Sequence, residues 1–285
     1  MMDRVLIVGT GLIGASVGLA LRAAGFVGRI DGWDSSSLEL AAAVQMGAID
    51  GRAANREAAL EAARVADVIV LAVPVLAIKE WMQLLAPVTR AGQLVTDVGS
   101  TKLEITELAA RLFGGEGKAV FLPGHPMAGK ESGGALLAEA GLFDGAIWLF
   151  TPTTAQLTAV EKEWRGWVGC FGTRTLDMDA TRHDELCAWV SHLPQMLSTA
   201  LAALLEDTFG DAPEIGAIGA RALRETTRLG ASPYSMWRDV AMTNTGPIAD
   251  TLLALEQRLA HVRENLRTPE LRDEFALANR FRQRR

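Results

Sequence analysis

The chain has 285 residues, 49% of them hydrophobic and 22% charged, which suits one large or two modest domains with a real core and excludes a disordered polypeptide. Its 28 Lys and Arg against 34 Asp and Glu leave a net charge of −6, which argues against a nucleic-acid or anionic-membrane binder. Two cysteines exclude a disulfide framework or a zinc cluster, and four histidines (His125, His183, His192 and His261) limit the candidates for proton chemistry near neutral pH.

Met1-Met2-Asp3-Arg4 runs straight into an apolar strand at 4–8, without the long apolar stretch of a signal peptide, so a cytoplasmic protein is expected. A helix follows at 12–24, a strand at 29–33, a helix at 36–46 and an Ala-rich helix at 55–64. Then come a strand at 67–73, a helix at 75–86, extended chain at 93–97, a helix at 101–113 and extended chain at 118–122. Strands alternating with helices predict a parallel sheet with crossover helices, and apolar runs without alternation predict strands covered on both faces. Two further strands, at 145–151 and 173–178, flank a Trp-rich helix at 154–168. From 179 onward only helices are predicted, at 179–208, 213–229, 233–243, 246–266 and 269–283. The chain therefore divides into domains at 1–178 and 179–285, the second offering helical faces that a second copy could cover. The uncharged stretch 186–205 is long enough to cross a bilayer. It contains Ser191, His192, Pro194 and Gln195, however, and reads as a buried helix instead.

Gly9-Thr10-Gly11-Leu12-Ile13-Gly14 is a G-x-G-x-x-G between a predicted strand and a predicted helix. Gly9 permits the tight turn, Gly11 lets backbone approach a pyrophosphate, and Gly14 lets helix and strand pack closely. The helix N-terminus adds free N–H groups and a partial positive charge. Asp34 ends the second strand, about 20 residues past the last glycine, where a carboxylate accepts from a ribose diol. Ser35, Ser36 and Ser37 follow it with no Lys or Arg to hold a 2′-phosphate, which favours NAD over NADP. Asp34 can also cap the helix at 36–46. Val73 and Pro74 end another strand, on the side of the sheet where ligands bind. Together these features predict a Rossmann-type dinucleotide-binding domain followed by an all-helical domain.

Three more motifs carry polar chemistry. Asp97-Val98-Gly99-Ser100-Thr101-Lys102 follows a strand and opens a helix, which sets Asp97 and Ser100 among the expected cofactor neighbours, although Ser100 or Thr101 could simply cap. Pro123-Gly124-His125-Pro126-Met127-Ala128-Gly129-Lys130-Glu131 holds a histidine in a turn between prolines, directly after a strand. Ser191-His192-Leu193-Pro194-Gln195 places polar groups inside the uncharged helix, where each must find a partner or cost about 1–3 kcal/mol.

With these motifs in order, followed by Leu223-Arg224-Glu225-Thr226-Thr227-Arg228 and Met236-Trp237-Arg238-Asp239, the sequence resembles the prephenate and arogenate dehydrogenases of tyrosine biosynthesis over nearly its whole length. The resemblance implies a two-domain arrangement like that of 6-phosphogluconate dehydrogenase and a homodimer through the helical domain. It also implies NAD-dependent oxidative decarboxylation of a small-molecule substrate: hydride leaves the ring carbon that bears the hydroxyl, the ring carboxylate departs as carbon dioxide, and the ring becomes aromatic. His125 would accept the hydroxyl proton or a hydrogen bond from it, and Ser100 would sit beside it and the nicotinamide. Arg228 would bind the ring carboxylate. His192 and Trp237 would line the pocket, with Glu131 near its mouth. Gln195 stands where many relatives carry a second histidine near the substrate side chain, and an amide suits either the keto acid of prephenate or the amino acid of arogenate. His183 and His261 carry no motif and are expected at the surface or in packing. No metal site and no fused mutase or regulatory domain is expected. Two rivals are another Rossmann dehydrogenase, disfavoured because 179–285 contains no Lys, and an NAD-sensing binding protein, which would have no use for His125, Ser100 and Arg228.

Overall fold

The computed structural model describes residues 2–130 and 132–284. Its first half is a six-stranded parallel sheet in the order β3-β2-β1-β4-β5-β6. The strands are β1 (Arg4–Val8), β2 (Arg29–Trp33), β3 (Gly51–Arg52), β4 (Val68–Leu71), β5 (Leu94–Asp97) and β6 (Val120–Leu122). Between them run α1 (Leu12–Ala23), α2 (Ser37–Gln45), α3 (Arg56–Val65), α4 (Val75–Leu85) and α5 (Leu103–Leu112). Val5 and Ile7 of β1 join a core layer with α1, whereas Leu6 and Val8 join a second layer with α3, α4 and α5. Both faces of the sheet are therefore dry, which is why its strands read as unbroken apolar runs. The strand order reverses between β1 and β4, so the loops after β1, β2, β4 and β5 gather at one edge of the sheet, where such folds bind ligands.

The glycine turn is sterically forced at two of its positions. Gly9 has φ +92°, and a Cβ there would lie 2.4 Å from the Ala72 carbonyl oxygen. At Gly14 a Cβ would lie 1.9 Å from the Gly9 carbonyl oxygen. Because the obstacle is backbone, Gly14→Ala is expected to push α1 away from the turn and to destabilise the protein by about 1–3 kcal/mol or more. A thermal melt of the variant that superimposes on the parent would refute this.

Past the main sheet, β7 (Gly124–Pro126) pairs antiparallel with β8 (Ile147–Phe150), which pairs parallel with β9 (Arg174–Asp177). His125 thus sits in a strand, opposite Leu149, rather than in the expected turn. Pro126 is tolerated because β7 is an edge strand. Gly124 is required, because a Cβ would meet Trp148 Nε1 at 2.8 Å and the Asp97 carbonyl oxygen at 2.9 Å. The Trp-rich helix, α6 (Ala159–Cys170), starts five residues later than expected, at a capping box between Thr158 and Glu161.

The helical part contains α7 (Ala180–Cys187), a π-turn at Ala188–His192, α8 (Leu193–Phe209), α9 (Pro213–Ile218), α10 (Arg221–Thr227), a 3₁₀ turn at Arg228–Ala231, α11 (Tyr234–Thr243), α12 (Thr245–Glu264) and α13 (Glu270–Gln283). The single helix expected at 179–208 is thus broken by a wide turn ahead of Pro194, whose missing N–H cannot continue the regular ladder. The helix expected at 213–229 breaks at Gly219, where a Cβ would strike the Ile215 carbonyl oxygen at 2.4 Å. Among the described residues no helix is long and apolar enough to cross a membrane. Leu204, Leu253, Leu259, Phe275 and Phe281 of α8, α12 and α13 are exposed in the single chain.

Candidate functional site

At the C-terminal edge of the sheet, Gly11 forms the N-cap of α1 without any side-chain cap, and a Cβ there would have nothing within 4 Å. The first N–H groups of α1 therefore face open space, as a phosphate requires. Thr10 and Leu12 are buried and Ile13 packs on the core, so this turn offers a ligand its backbone rather than those side chains. Asp34 lies beside it. One carboxylate oxygen accepts from the Thr10 N–H at 2.7 Å and the other from the Ser36 N–H at 2.8 Å. A carboxylate has about four acceptor positions, so room is left for a ribose diol. The cap of α2 is Ser36, which accepts from the Glu39 N–H, and not Asp34. Val73 closes the cradle from the β4 side, 2.7 Å from where a Gly9 Cβ would be, and Pro74 is the N-cap of α4. These residues fit a dinucleotide.

The loop after β5 is a buried junction. Asp97 and Lys102 are both fully buried and form an ion pair. Asp97 also accepts from the Gly99 N–H at 2.8 Å and the Gly124 N–H at 3.2 Å. With its oxygens committed and no exposure, its side chain shapes the loop from within. Thr101 Oγ1 meets Thr243 Oγ1 at 2.7 Å. Ser100 is half-buried at the bend, and its hydroxyl bonds to none of the other described residues.

Through Gly124, this junction adjoins His125, which is 8% exposed. His125 Nδ1 lies 2.9 Å from His183 Nε2, and His183 Nδ1 lies 2.8 Å from Asp184 Oδ1. Asp184 in turn accepts from the Lys102 N–H at 2.7 Å and the Leu103 N–H at 2.9 Å, at the start of α5. His183 is thus fully buried and bonded to His125, contrary to the expectation of a surface or packing residue. Its contact lies 58 residues away along the chain, and the only local sign is a His-Asp pair in the first turns of a helix. His261 is exposed, as expected. Burial above all holds His125 well below the usual histidine range, with His183, Lys102 and His192 adding to the effect, so the ring is neutral at neutral pH.

His125, His183 and Cys187 offer ligand-type atoms within 4.8 Å of one another. Burial, with Asp184 nearby, pushes the Cys187 thiol up to about 12. A cation here would have to displace that proton and break the His125–His183 bond, so the cluster reads as a hydrogen-bond network.

His192 packs edge-on against Trp237, with ring centroids 5.9 Å apart. Asn244 Nδ2 donates to the Asp184 carbonyl at 2.9 Å and lies 3.2 Å from His192 Nδ1. An NH₂ group at that position makes Nδ1 the acceptor and leaves the proton on Nε2, which is buried with no partner among the described residues. Asn244 was not foreseen from sequence. Burial takes His192 down to about 4, Asp184 opposing and His183 assisting. Between pH 6.5 and 4 the unfolded chain binds a proton here that the folded chain does not. Stability therefore falls as the pH drops through that window, by about 3 kcal/mol from this residue. Urea midpoints at pH 7 and pH 4 should diverge less in His192→Gln than in the parent, and equal divergence would refute the assignment.

Gln195 is 3% exposed, and its amide is already in use. It donates to the Leu229 carbonyl at 2.6 Å and to Thr199 Oγ1 at 3.1 Å, and accepts from Ser232 Oγ at 3.2 Å. It therefore holds the turn that begins at the exposed Arg228. Asp239 joins the motif around Trp237 to the cradle: it accepts from the Leu76 N–H at the start of α4 and from the guanidinium of Arg238. Glu131 lies outside the described residues.

Comparison with known proteins agrees with this geometry. The model of the prephenate dehydrogenase nucleotide-binding domain matches residues 17–170, and that of the prephenate dehydrogenase dimerization domain matches residues 179–282. A prephenate dehydrogenase of Lactococcus lactis is 34% identical over 244 residues, which are 85% of this chain and 65% of that protein, so the chain spans just under two thirds of that relative. The structure of Aquifex aeolicus prephenate dehydrogenase in complex with hydroxyphenyl propionate and NAD+ superimposes with a TM-score of 0.90 at 26% identity, covering 100% of this chain and 98% of that one. Synechocystis arogenate dehydrogenase superimposes with a TM-score of 0.79 at 28% identity, covering 99% of each chain.

Proposed function

Because the chain belongs to the prephenate dehydrogenase family, we propose that it is an NAD-dependent oxidoreductase that converts prephenate to 4-hydroxyphenylpyruvate with loss of carbon dioxide. The observation that carries this reading is His125: a neutral, buried imidazole anchored at Nδ1, with no partner for Nε2 among the described residues, beside the edge of the sheet where the dinucleotide cradle lies. NAD, when bound, supplies the hydride acceptor. Gly9 to Gly14 hold its pyrophosphate by backbone, Asp34 its ribose, and Val73 and Pro74 flank it. His125 Nε2 takes the hydroxyl proton as the C–O bond becomes a carbonyl. After carbon dioxide leaves, the electron pair reaches that same oxygen as the ring becomes aromatic, and the proton returns to it. The histidine thus ends as it began. Ser100 positions the hydroxyl, Arg228 binds the ring carboxylate, and the free Nε2–H of His192 donates to the substrate side chain in a pocket completed by Trp237.

We place the division between the domains at 178/179 and the working enzyme in the cytoplasm. Two copies join through the exposed apolar faces of α8, α12 and α13. The deciding assay supplies NAD with prephenate and with arogenate in turn and follows NADH, then repeats with NADP. Turnover of prephenate with NAD supports the reading, turnover of arogenate alone would reassign the substrate, and turnover of neither would overturn it. Sedimentation equilibrium should give twice the chain mass.

A further inference from the structure

We propose that His183, held by Asp184, fixes His125 in the tautomer that carries its proton on Nδ1, so that a bare lone pair on Nε2 faces the substrate hydroxyl; this rests on the reading of His125 as the base. The hydrogen-bond geometry sets the direction of each proton. The Asp184 carboxylate accepts with both oxygens from the first N–H groups of α5. The nitrogen 2.8 Å from it, His183 Nδ1, must therefore carry a hydrogen. In a neutral imidazole the other nitrogen is then an acceptor. His183 Nε2 lies 2.9 Å from His125 Nδ1, which must donate, and the lone pair of His125 is left on Nε2. Cys187 Sγ, 3.6 Å from His183 Nε2, keeps its proton, because burial pushes the thiol up to about 12, so it presents no thiolate that would compete as acceptor. All three members of the chain are buried, so water does not compete for these bonds.

The chemistry needs this direction. As the hydroxyl oxygen becomes a carbonyl and the hydride goes to the nicotinamide, the proton passes to His125 Nε2. The Nδ1 proton stays in its bond to His183, and Asp184 faces the resulting imidazolium through that ring. The opposite tautomer would present an N–H to the hydroxyl and could not accept. His183 and Asp184 touch no reacting atom, so they are positioning residues.

The test labels the full-length chain with ¹⁵N-histidine and reads the tautomers from long-range ¹H–¹⁵N spectra, with His125→Asn assigning the His125 signals among four histidines. The expected parent spectrum has His125 protonated on Nδ1 and a neutral His183 also protonated on Nδ1. In His183→Leu the His125 signals should move toward the Nε2–H form. In that variant kcat should fall about 10- to 100-fold, with KM for substrate and for NAD changed less than about threefold. In His183→Gln the amide oxygen can still accept from His125, and part of kcat should return. An Nε2–H tautomer in the parent, a doubly protonated His183, or a His125 tautomer unmoved by His183→Leu would overturn the proposal. An Nδ1–H tautomer in a chain that turns over no substrate would instead overturn the reading of His125 as the base.

Discussion

Replacing His125 by alanine is expected to lower kcat by about 10²- to 10⁴-fold while KM stays within a few-fold of the parent. Arg228→Ala should do the reverse, raising KM far more than it lowers kcat. In the proposed reaction the two residues meet different parts of the chemistry. The imidazole works only while the hydroxyl proton is in flight, so its loss falls on the transition state. The guanidinium holds a carboxylate whose negative charge drains into the ring as carbon dioxide forms. Its ion pair is therefore at least as strong in the bound substrate as at the transition state, and removing it is felt mainly as weaker binding. Steady-state kinetics on both variants separate the roles, and equal losses of kcat would reject this division of labour. Since His125 lies well below the usual histidine range, the acid limb of kcat/KM in the parent should also fall below the pH at which free histidine titrates.

The second large effect concerns stability. Lys102→Met should destabilise the protein by about 3–5 kcal/mol, because it strands the fully buried Asp97 carboxylate without its cation. At about 2–4 °C per kcal/mol, the melting temperature should drop by roughly 6–20 °C. Asp97 would keep the Gly99 and Gly124 N–H groups, which soften the loss but do not replace an ammonium. The double variant Asp97→Asn/Lys102→Met should recover part of the drop, since no charge is left to bury and the amide oxygen can still serve one of those two N–H groups. Calorimetry on the single and double variants checks this. A single variant melting within 2 °C of the parent would refute it.

Much of the nucleotide-binding half was legible in the sequence, because β1, β4, β6 and β8 are runs of apolar residues and its strands alternate with helices. The exceptions have local physical causes. β3 is two residues long and β7 three, too short for any periodicity, and both exist only through pairing with distant backbone. Thr158 starts α6 late, and Pro194 and Gly219 break helices whose apolar patterns run on regardless. The candidate site was legible where one motif carries one role, as at Gly9, Gly14 and His125. It was not legible where a role depends on a partner far along the chain. His183 has meaning only against His125, Asp184 only against Lys102 and Leu103, and the hold of Gln195 on the turn beginning at Arg228 only against Leu229.

The bonds from Asp184 to the backbone of Lys102 and Leu103 cross from the helical part to the nucleotide-binding part, and the same residue orients the ring beside His125. The proposed catalytic apparatus is therefore divided between two stretches of chain that could be inherited or exchanged separately. A recombinant joining this nucleotide-binding half to a helical half without His-Asp at the start of its first helix would keep every glycine, Ser100 and His125. It would still have lost the groups that orient its base.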